Sequence, residues 1–424
     1  MKVIPVVVAN MDSGTAYQLP KPSHNADLTE VGPGTPMGEL LRRYWLPVGL
    51  SADASNLPKA VRVLGQDLIL LRDRQGRPGL VYTRCAHRGS SLLYGRIDEA
   101  GIRCCYHGWA FDVEGRCTDQ PCEPQNGLRR DRIRQPWFPV QERYGLVFAY
   151  LGPAEKKPLL PSYPCLDTLG QGEKIYTDDY NIGSGRYTPE PVPFNWLQHW
   201  ENIQDPGHFM WLHYFHSGAQ FGSRYGEMDT LDFQPWERMD QITFRTTRRG
   251  VWSERVQTLP DGRTLRNITE TVLPAVRGVS NPFGKPGPID TLGFMLPVDD
   301  THFRIFTVLR GQNDEFFQRI GQMRGNAASK LAADPAHLRR FPGDWEAQGS
   351  QGPITLHSEE HLATSDKGIV MLRRQLKQQL DALALGQDPI NLAFEPGQEA
   401  VDLEAGQFIS GVIASASDPV AAAV

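Results

Sequence analysis

Two short runs have residue types and spacing that could do chemistry: Cys85-Ala86-His87-Arg88-Gly89 and Cys104-Cys105-Tyr106-His107-Gly108-Trp109. Each places one thiolate and one imidazole on a tight loop, as Cys-x-His and then Cys-x-x-His. Two cysteines on one iron and two histidines on the other make the ligand set of a mixed-ligand [2Fe–2S] cluster. A structural zinc can also use two Cys and two His. The familiar zinc spacings, however, put roughly two or more residues between paired cysteines and three to five between paired histidines. One Cys and one His in each loop suit two unlike irons better than one tetrahedral ion. A zinc-stabilised module, colourless and inert towards O2, is the competing reading.

A second stretch runs Glu201-Asn202-Ile203-Gln204-Asp205-Pro206-Gly207-His208-Phe209-Met210-Trp211-Leu212-His213. His208 and His213 are five apart, and on a helix with a local irregularity both rings can converge on one point. Two imidazoles and a carboxylate on one face hold a non-haem Fe(II) and leave positions open for O2. The carboxylate must come from elsewhere: Asp344, Glu359, Glu360 or Asp366, and spacing alone does not choose. Asp366 also reads as a first-turn helix charge, and Glu359 and Glu360 as exposed. Asp205 reads either as a helix-start residue ahead of Pro206 or as an acceptor for the free N–H of a ligand histidine. In the second role it could join histidines of two metal centres.

These residues need two scaffolds, and 424 residues are enough for two or three domains. The reading is an α+β multidomain chain. Residues 1–39 form an arm with a short helix from Met37, capped by Thr35 and Pro36. Residues 40–155 carry strand-like runs (Ala60–Val63, Asp67–Leu71, Gly79–Tyr82, Tyr144–Leu151) and form an all-β domain with both cluster loops on hairpin tips. Residues 156–390 form the second domain. Its strands are expected at 240–248, 254–258, 264–273, 289–297 and 302–310, with helices at 315–332 and 365–385, the latter capped by Ser365 and stopped by Gly386. Residues 391–424 read as a tail.

Composition excludes several classes. A net charge of −5 argues against a nucleic-acid surface. No apolar run approaches the roughly 20 residues that cross a bilayer, and the start is too weak for a signal peptide. Six cysteines in so long a chain are not a disulfide scaffold, so a reducing cytoplasm is expected. No Gly-x-Gly-x-x-Gly opens a helix, so no flavin or nicotinamide is expected on this chain.

With both motifs in view, the chain resembles the catalytic α-subunits of Rieske non-haem iron aromatic-ring oxygenases, in the group around phthalate and phenoxybenzoate dioxygenases. The likeness runs from about Val31 to Leu385. Its most specific pieces are Val31–Gly38, both cluster loops, Glu201–His213, and Gln351-Gly352-Pro353-Ile354 leading to Thr364-Ser365-Asp366. It implies a Rieske domain followed by a helix-grip catalytic domain, an antiparallel sheet closed on a long helix. It further implies that Cys85 and Cys104 bind one iron and His87 and His107 the other. His208, His213 and Asp344 would bind a mononuclear Fe(II), with Asn202 beside it. Asp205 would bridge that iron to the cluster of a neighbouring subunit, hence a trimer or stacked hexamer. Cys105 departs from the family, which often has Pro there, but the spacing to His107 still selects Cys104.

The implied function is the terminal oxygenase of a multicomponent dioxygenase. It would use O2 and electrons from NAD(P)H, delivered by a separate reductase with flavin and plant-type ferredoxin domains, to hydroxylate an aromatic carboxylate or aryl ether. A monooxygenase or O-/N-demethylase would keep the same ligands. An electron-transfer ferredoxin would not need the chain beyond Leu151. Phe209, Met210, Trp211, Phe215, Phe221 and Phe294 are candidate pocket walls. Because a buried carboxylate needs a cationic partner, Arg224, Arg245 and Arg304 are candidate anchors.

Overall fold

The computed structural model describes residues 20–217, 241–259, 262–279, 286–312 and 335–411. After α1 (Ala26–Thr29) and α2 (Pro36–Leu41) come eleven short strands: β1 (Trp45–Leu50), β2 (Lys59–Val63), β3 (Gln66–Arg72), β4 (Pro78–Tyr82), β5 (Arg96–Ile97), β6 (Gly101–Arg103), β7 (Ala110–Asp112), β8 (Cys117–Asp119), β9 (Trp137–Phe138), β10 (Val140–Arg143) and β11 (Leu146–Tyr150). They form three antiparallel sheets, ordered β1–β11–β10, β2–β3–β4–β9 and β5–β6–β7–β8. Thr35 caps α2 by accepting from Gly38 N at 3.2 Å, with Pro36 at the first position.

The β2–β4 sheet is a wall between two cores. On β3 the alternating side chains Leu68 and Leu70 enter the main core, while Ile69 and Leu71 enter a small second one. That explains a continuous apolar run in place of in–out alternation. The small core holds Ile69, Leu71, Val81, Leu92, Ile97, Ile102, Trp109 and Phe111, and both candidate ligand cysteines, Cys85 and Cys104, are embedded in it.

The second part contains α3 (Pro164–Asp167), β12 (Lys174–Asp178), α4 (Trp196–Asn202), α5 (Pro206–Met210), β13 (Ile242–Thr246), β14 (Gly250–Thr258), β15 (Thr264–Val272), β16 (Val276–Gly278), β17 (Gly287–Pro288), β18 (Thr291–Asp299) and β19 (His302–Gly311). It continues with α6 (Pro335–Arg340), α7 (Asp344–Gly349), α8 (Lys367–Ala384) and β20 (Gly406–Ser410). The antiparallel sheet runs β12–β19–β18–β16–β15–β14–β13, with β20 paired to β15 and β17. Helix α8 lays Leu372 and Leu376 into the main core, with Met371, Leu380 and Leu383 packed at its edge. Its neighbours include α4, β13 and β14. This is the helix grip on an α+β chain.

Three expectations need correction or placement. Asp366, not Ser365, is the N-cap of α8, because Thr364–Asp366 winds into a short 3-10 turn first. Gly386 does stop the helix, at φ +76°. Residues 391–411, read as part of a tail, belong to the catalytic fold. Asn391 Nδ2 donates to Arg249 O and Leu273 O at 2.9 Å, and β20 extends the sheet. Pairing at a sheet edge leaves no periodic signature in a short Gly- and Pro-broken segment. The helix expected at 315–332 lies outside the described residues.

Candidate metal centres

Both cluster loops are built alike. Cys85 N donates to Ser90 O and Gly89 N to Cys85 O, each at 2.9 Å; Cys104 N donates to Trp109 O at 2.8 Å and Gly108 N to Cys104 O at 3.2 Å. Each loop closes on a glycine at φ +75°, a left-handed conformation that other residues adopt at a cost. Gln135, fully buried, ties the first loop to its strands. Its Oε1 accepts from Ala86 N and its Nε2 donates to Tyr82 O, both at 2.8 Å.

The four side chains gather as two pairs. The Cys85 thiol meets Cys104, and the rings of His87 and His107 lie 4.7 Å apart, centre to centre. Thiol beside thiol and ring beside ring is what two irons require and one zinc does not. The thiols are buried, at 3% and 4% exposure, while both imidazoles are half-buried. The histidine side of a cluster held here therefore faces outward. Trp109 stacks on His87 at 4.2 Å, nearly parallel. Burial, with Cys104 alongside, pushes the Cys85 thiol up to about 11, so loading the site must release a proton.

The second centre forms where α5 runs into a π-helical segment, Trp211–His216. Five residues are about 1.4 turns of α-helix, which would splay His208 and His213 apart. The i→i+5 winding of a π-helix brings them back to one side. Asp344, the first residue of α7, approaches from across the domain: its Oδ2 is 3.1 Å from His213 Nε2 and its Oδ1 3.6 Å from His208 Nε2. Among the described residues, only His208, His213 and Asp344 bring three such donor atoms within 4.8 Å of one another. Burial would raise the Asp344 carboxyl, but His213 and His208 hold it well below the usual carboxylate range.

Of its two expected local roles, Asp205 takes the helix start, and it lies beside the His208 ring without closing a good hydrogen bond to it. Its Oδ1 accepts from Gly207 N at 3.0 Å and His208 N at 3.3 Å, capping α5. Its Oδ2 lies 3.5 Å from His208 Nδ1, too far for a good hydrogen bond, so that buried nitrogen has no closer partner. Burial would lower His208, yet Asp205 and then Asp344 hold it above the ordinary histidine value. Asn202 Nδ2 donates to Asp344 Oδ1 at 3.3 Å. The donor set fits a divalent metal, with His208 Nε2 turned towards Asp344 and its Nδ1 towards Asp205.

Of the other carboxylate candidates, Glu360 pairs with Arg373, Asp366 accepts from Ala363 N, and Glu359 is exposed. Phe209 lies 5.7 Å from the His213 ring and under Arg255, whose guanidinium sits 5.0 Å from the Phe209 ring. Trp211 and Phe215 lie tilted against each other at the surface, 65% and 54% exposed. Met210 is half-buried beside them. Phe294 packs between the two parts of the chain, against Phe148 and Tyr163. Arg245 is turned outward, stacked on Trp252 and paired with Glu404. Arg304 faces Asp179, Glu190 and Asp53. Arg224 and Phe221 lie outside the described residues.

Sequence reasoning passed over the segment that presses on Asp344. Gly185, at φ +87°, leaves room for only a hydrogen: a Cβ there would sit 2.8 Å from Trp345 N and 3.2 Å from Asp344 Cβ. Arg186 then covers the Trp345 ring at 4.7 Å and pairs with Glu346 at 2.6 Å. The only trace in the sequence is Gly183-Ser184-Gly185, a weak signal.

A model of the Rieske [2Fe–2S] domain matches residues 44–145. Over 409 residues the chain is 46% identical to the phenoxybenzoate dioxygenase subunit alpha of Ectopseudomonas oleovorans, covering 96% of this chain and 97% of that one. The chain belongs to the Rieske non-haem iron oxygenases. It carries a Rieske cluster and a mononuclear iron, and it is an oxygenase component that works with a reductase. A second Rieske oxygenase relative is the tert-butanol monooxygenase / tert-amyl alcohol desaturase oxygenase subunit of Aquincola tertiaricarbonis, 37% identical over 387 residues, 85% of this chain and 76% of that one. Among solved structures, a variant of NdmA from Pseudomonas putida CBB5 with caffeine shares the fold, with a TM-score of 0.59 at 18% identity, covering 85% of this chain and 99% of that one.

Proposed function

We propose that this Rieske oxygenase hydroxylates an aromatic carboxylate or aryl ether as a dioxygenase. Cys85, Cys104, His87 and His107 hold the cluster, and His208, His213 and Asp344 hold the iron. The observation that carries the site assignment is the convergence of three donors, two from the π-wound helix and one from α7, within 4.8 Å. The bound metals supply O2 activation and one-electron storage. The protein's own residues do the rest. Asn202 orients Asp344, Asp205 fixes the His208 ring, and Phe209 forms an apolar wall beside His213. We divide the chain into a Rieske domain at 40–155 and a catalytic domain from 156.

Asp205 also serves as the link to the neighbouring subunit's cluster, in a trimer or stacked trimers. Two observations support this. Among the described residues, the hydrogen bonds of the cluster loops stay within their own domain. The Asp205 side chain keeps 27% exposure, and Trp211 and Phe215 of the following helical segment are exposed. The outward-facing histidine pair then meets Asp205 of another copy. Electrons come from NAD(P)H through a reductase with flavin and ferredoxin domains, in the cytoplasm.

The identity to a monooxygenase and desaturase subunit supports a second reading, single-oxygen insertion, and the identity to an O-demethylase oxygenase subunit supports demethylation at the same metal sites. Turnover under 18O2 with phenoxybenzoate as probe and a phthalate-dioxygenase-type reductase separates the two. Two labelled oxygens in one product support ring dioxygenation, and one labelled oxygen supports the alternative. Fully loaded protein that consumes no O2 with aryl carboxylates or ethers would refute the substrate class.

A further inference from the structure

Behind Asp344 lies a half-buried cation that the activity described above does not use. Arg277, on β16, threads between Gly183 and Gly293; a Cβ on either would come within 2.4 Å of its guanidinium. Its Nη2 donates to Ile182 O at 2.5 Å, and its Nη1 lies 3.2 Å from His199 Nε2. Among the described residues no carboxylate lies within ion-pair distance of it, and Asp344 is the acid whose field it feels. Burial pulls Arg277 down to about 10.

An arginine can only donate, so His199 Nε2 must accept and its proton must sit on Nδ1. That nitrogen, 3.0 Å from Gln348 Oε1, therefore donates to it. With its oxygen engaged, the Gln348 amide must turn its NH2 the other way, and there it lies 3.4 Å from Asp344 Oδ1. His199 is 1% exposed and Gln348 2%, so no water competes to reverse either group. Burial, then Arg277, drives His199 down to about 3, which keeps the ring neutral.

We propose that Arg277, His199 and Gln348 form a one-way relay of hydrogen bonds that engages Oδ1 of Asp344 and so sets which carboxylate oxygen is offered to the metal. Each donor fixes the orientation of the next group, and the chain ends, with the Asn202 amide, on Oδ1. Oδ2, towards His213, is left for the metal. Arg277, His199 and Gln348 are positioning residues. The proposal rests on Asp344 being a ligand.

The test uses cluster-loaded full-length protein stripped of mononuclear iron. Fe(II) affinity is measured by titration, and the ferrous–nitrosyl EPR signal reports the ligand geometry. The visible spectrum of the cluster serves as fold control. Asp344→Ala must abolish the nitrosyl signal; if it does not, the ligand assignment itself fails. Removing a nearby cation should, by charge alone, tighten Fe(II) binding. The relay requires the opposite: Arg277→Met should weaken it about 10- to 100-fold, the range for loss of groups that orient metal ligands. Gln348→Met, which changes no charge, should do the same, and the double variant should be no worse than the weaker single one, because both cut one chain. Unchanged or tighter binding in either single variant, or additive losses in the double, would overturn the relay.

Discussion

Replacing Asp205 separates three functions that one carboxylate combines. Asn keeps a side-chain oxygen in place for the N–H groups of Gly207 and His208, so Asp205→Asn should retain the cap of α5 and shift global stability by less than ~0.5 kcal/mol. Asp205→Ala loses the cap, worth about 1 kcal/mol. Both variants remove the negative charge 3.5 Å from His208 Nδ1. Loss of such a partner costs about 10- to 100-fold in metal affinity, or roughly 1.4–2.8 kcal/mol. Iron titration should therefore show similar weakening in both variants, while thermal unfolding distinguishes them. At saturating iron, stopped-flow oxidation of the reduced cluster in the presence of substrate and O2 should be slowed at least tenfold in both. If Asp205→Ala reoxidises its cluster at the wild-type rate, Asp205 does not link the two centres.

Two further outcomes are expected. Arg373→Met strands Glu201 and Glu360, which Arg373 grips with bonds of 2.5–2.8 Å across α4 and α8. Leaving buried charge unpaired costs about 3–5 kcal/mol, so calorimetry should show a clear fall in Tm; a drop within error would mean that the cluster is solvated. In the apoprotein His208 sits above its ordinary pKa, so the charged ring adds stability below the pH at which an unfolded histidine titrates, and this is lost as pH rises through the folded value. Fe(II) must displace that proton, so iron uptake should fall as pH drops through the raised value, and Asp205→Asn should move the midpoint of an iron-content-against-pH curve downward.

The local chemistry was legible in the chain because ligand spacing is a one-dimensional property. Cys85-x-His87 and Cys104-x-x-His107 lie on loops whose glycines, four residues after each cysteine, force the same turn twice. The pair His208 and His213 carried its own constraint too: five residues can face one metal only if the helix departs from α winding, and it does. Strand and helix positions on either side followed from period-2 and period-3.6 patterning, as β13, β14, β15, β18, β19 and α8 show, while the short β16 and β17 carried too few residues for a period.

Tertiary structure alone decided what meets across long separations. Spacing left Asp344 level with Glu359, Glu360 and Asp366, because a carboxylate more than 130 residues from His208 and His213 has no periodic relation to them. The fold brings Asp344 to the histidines and gives Glu360 to Arg373. The same holds for Gly185 pressing on Asp344 Cβ, for residues 391–411 completing the sheet, and for Arg277, His199 and Gln348, three unremarkable residues 78 and 149 positions apart until the sheet wraps on its helices. A sequence can state which groups are able to bind iron. Only packing, which excludes water and fixes each donor's direction, determines which of them do.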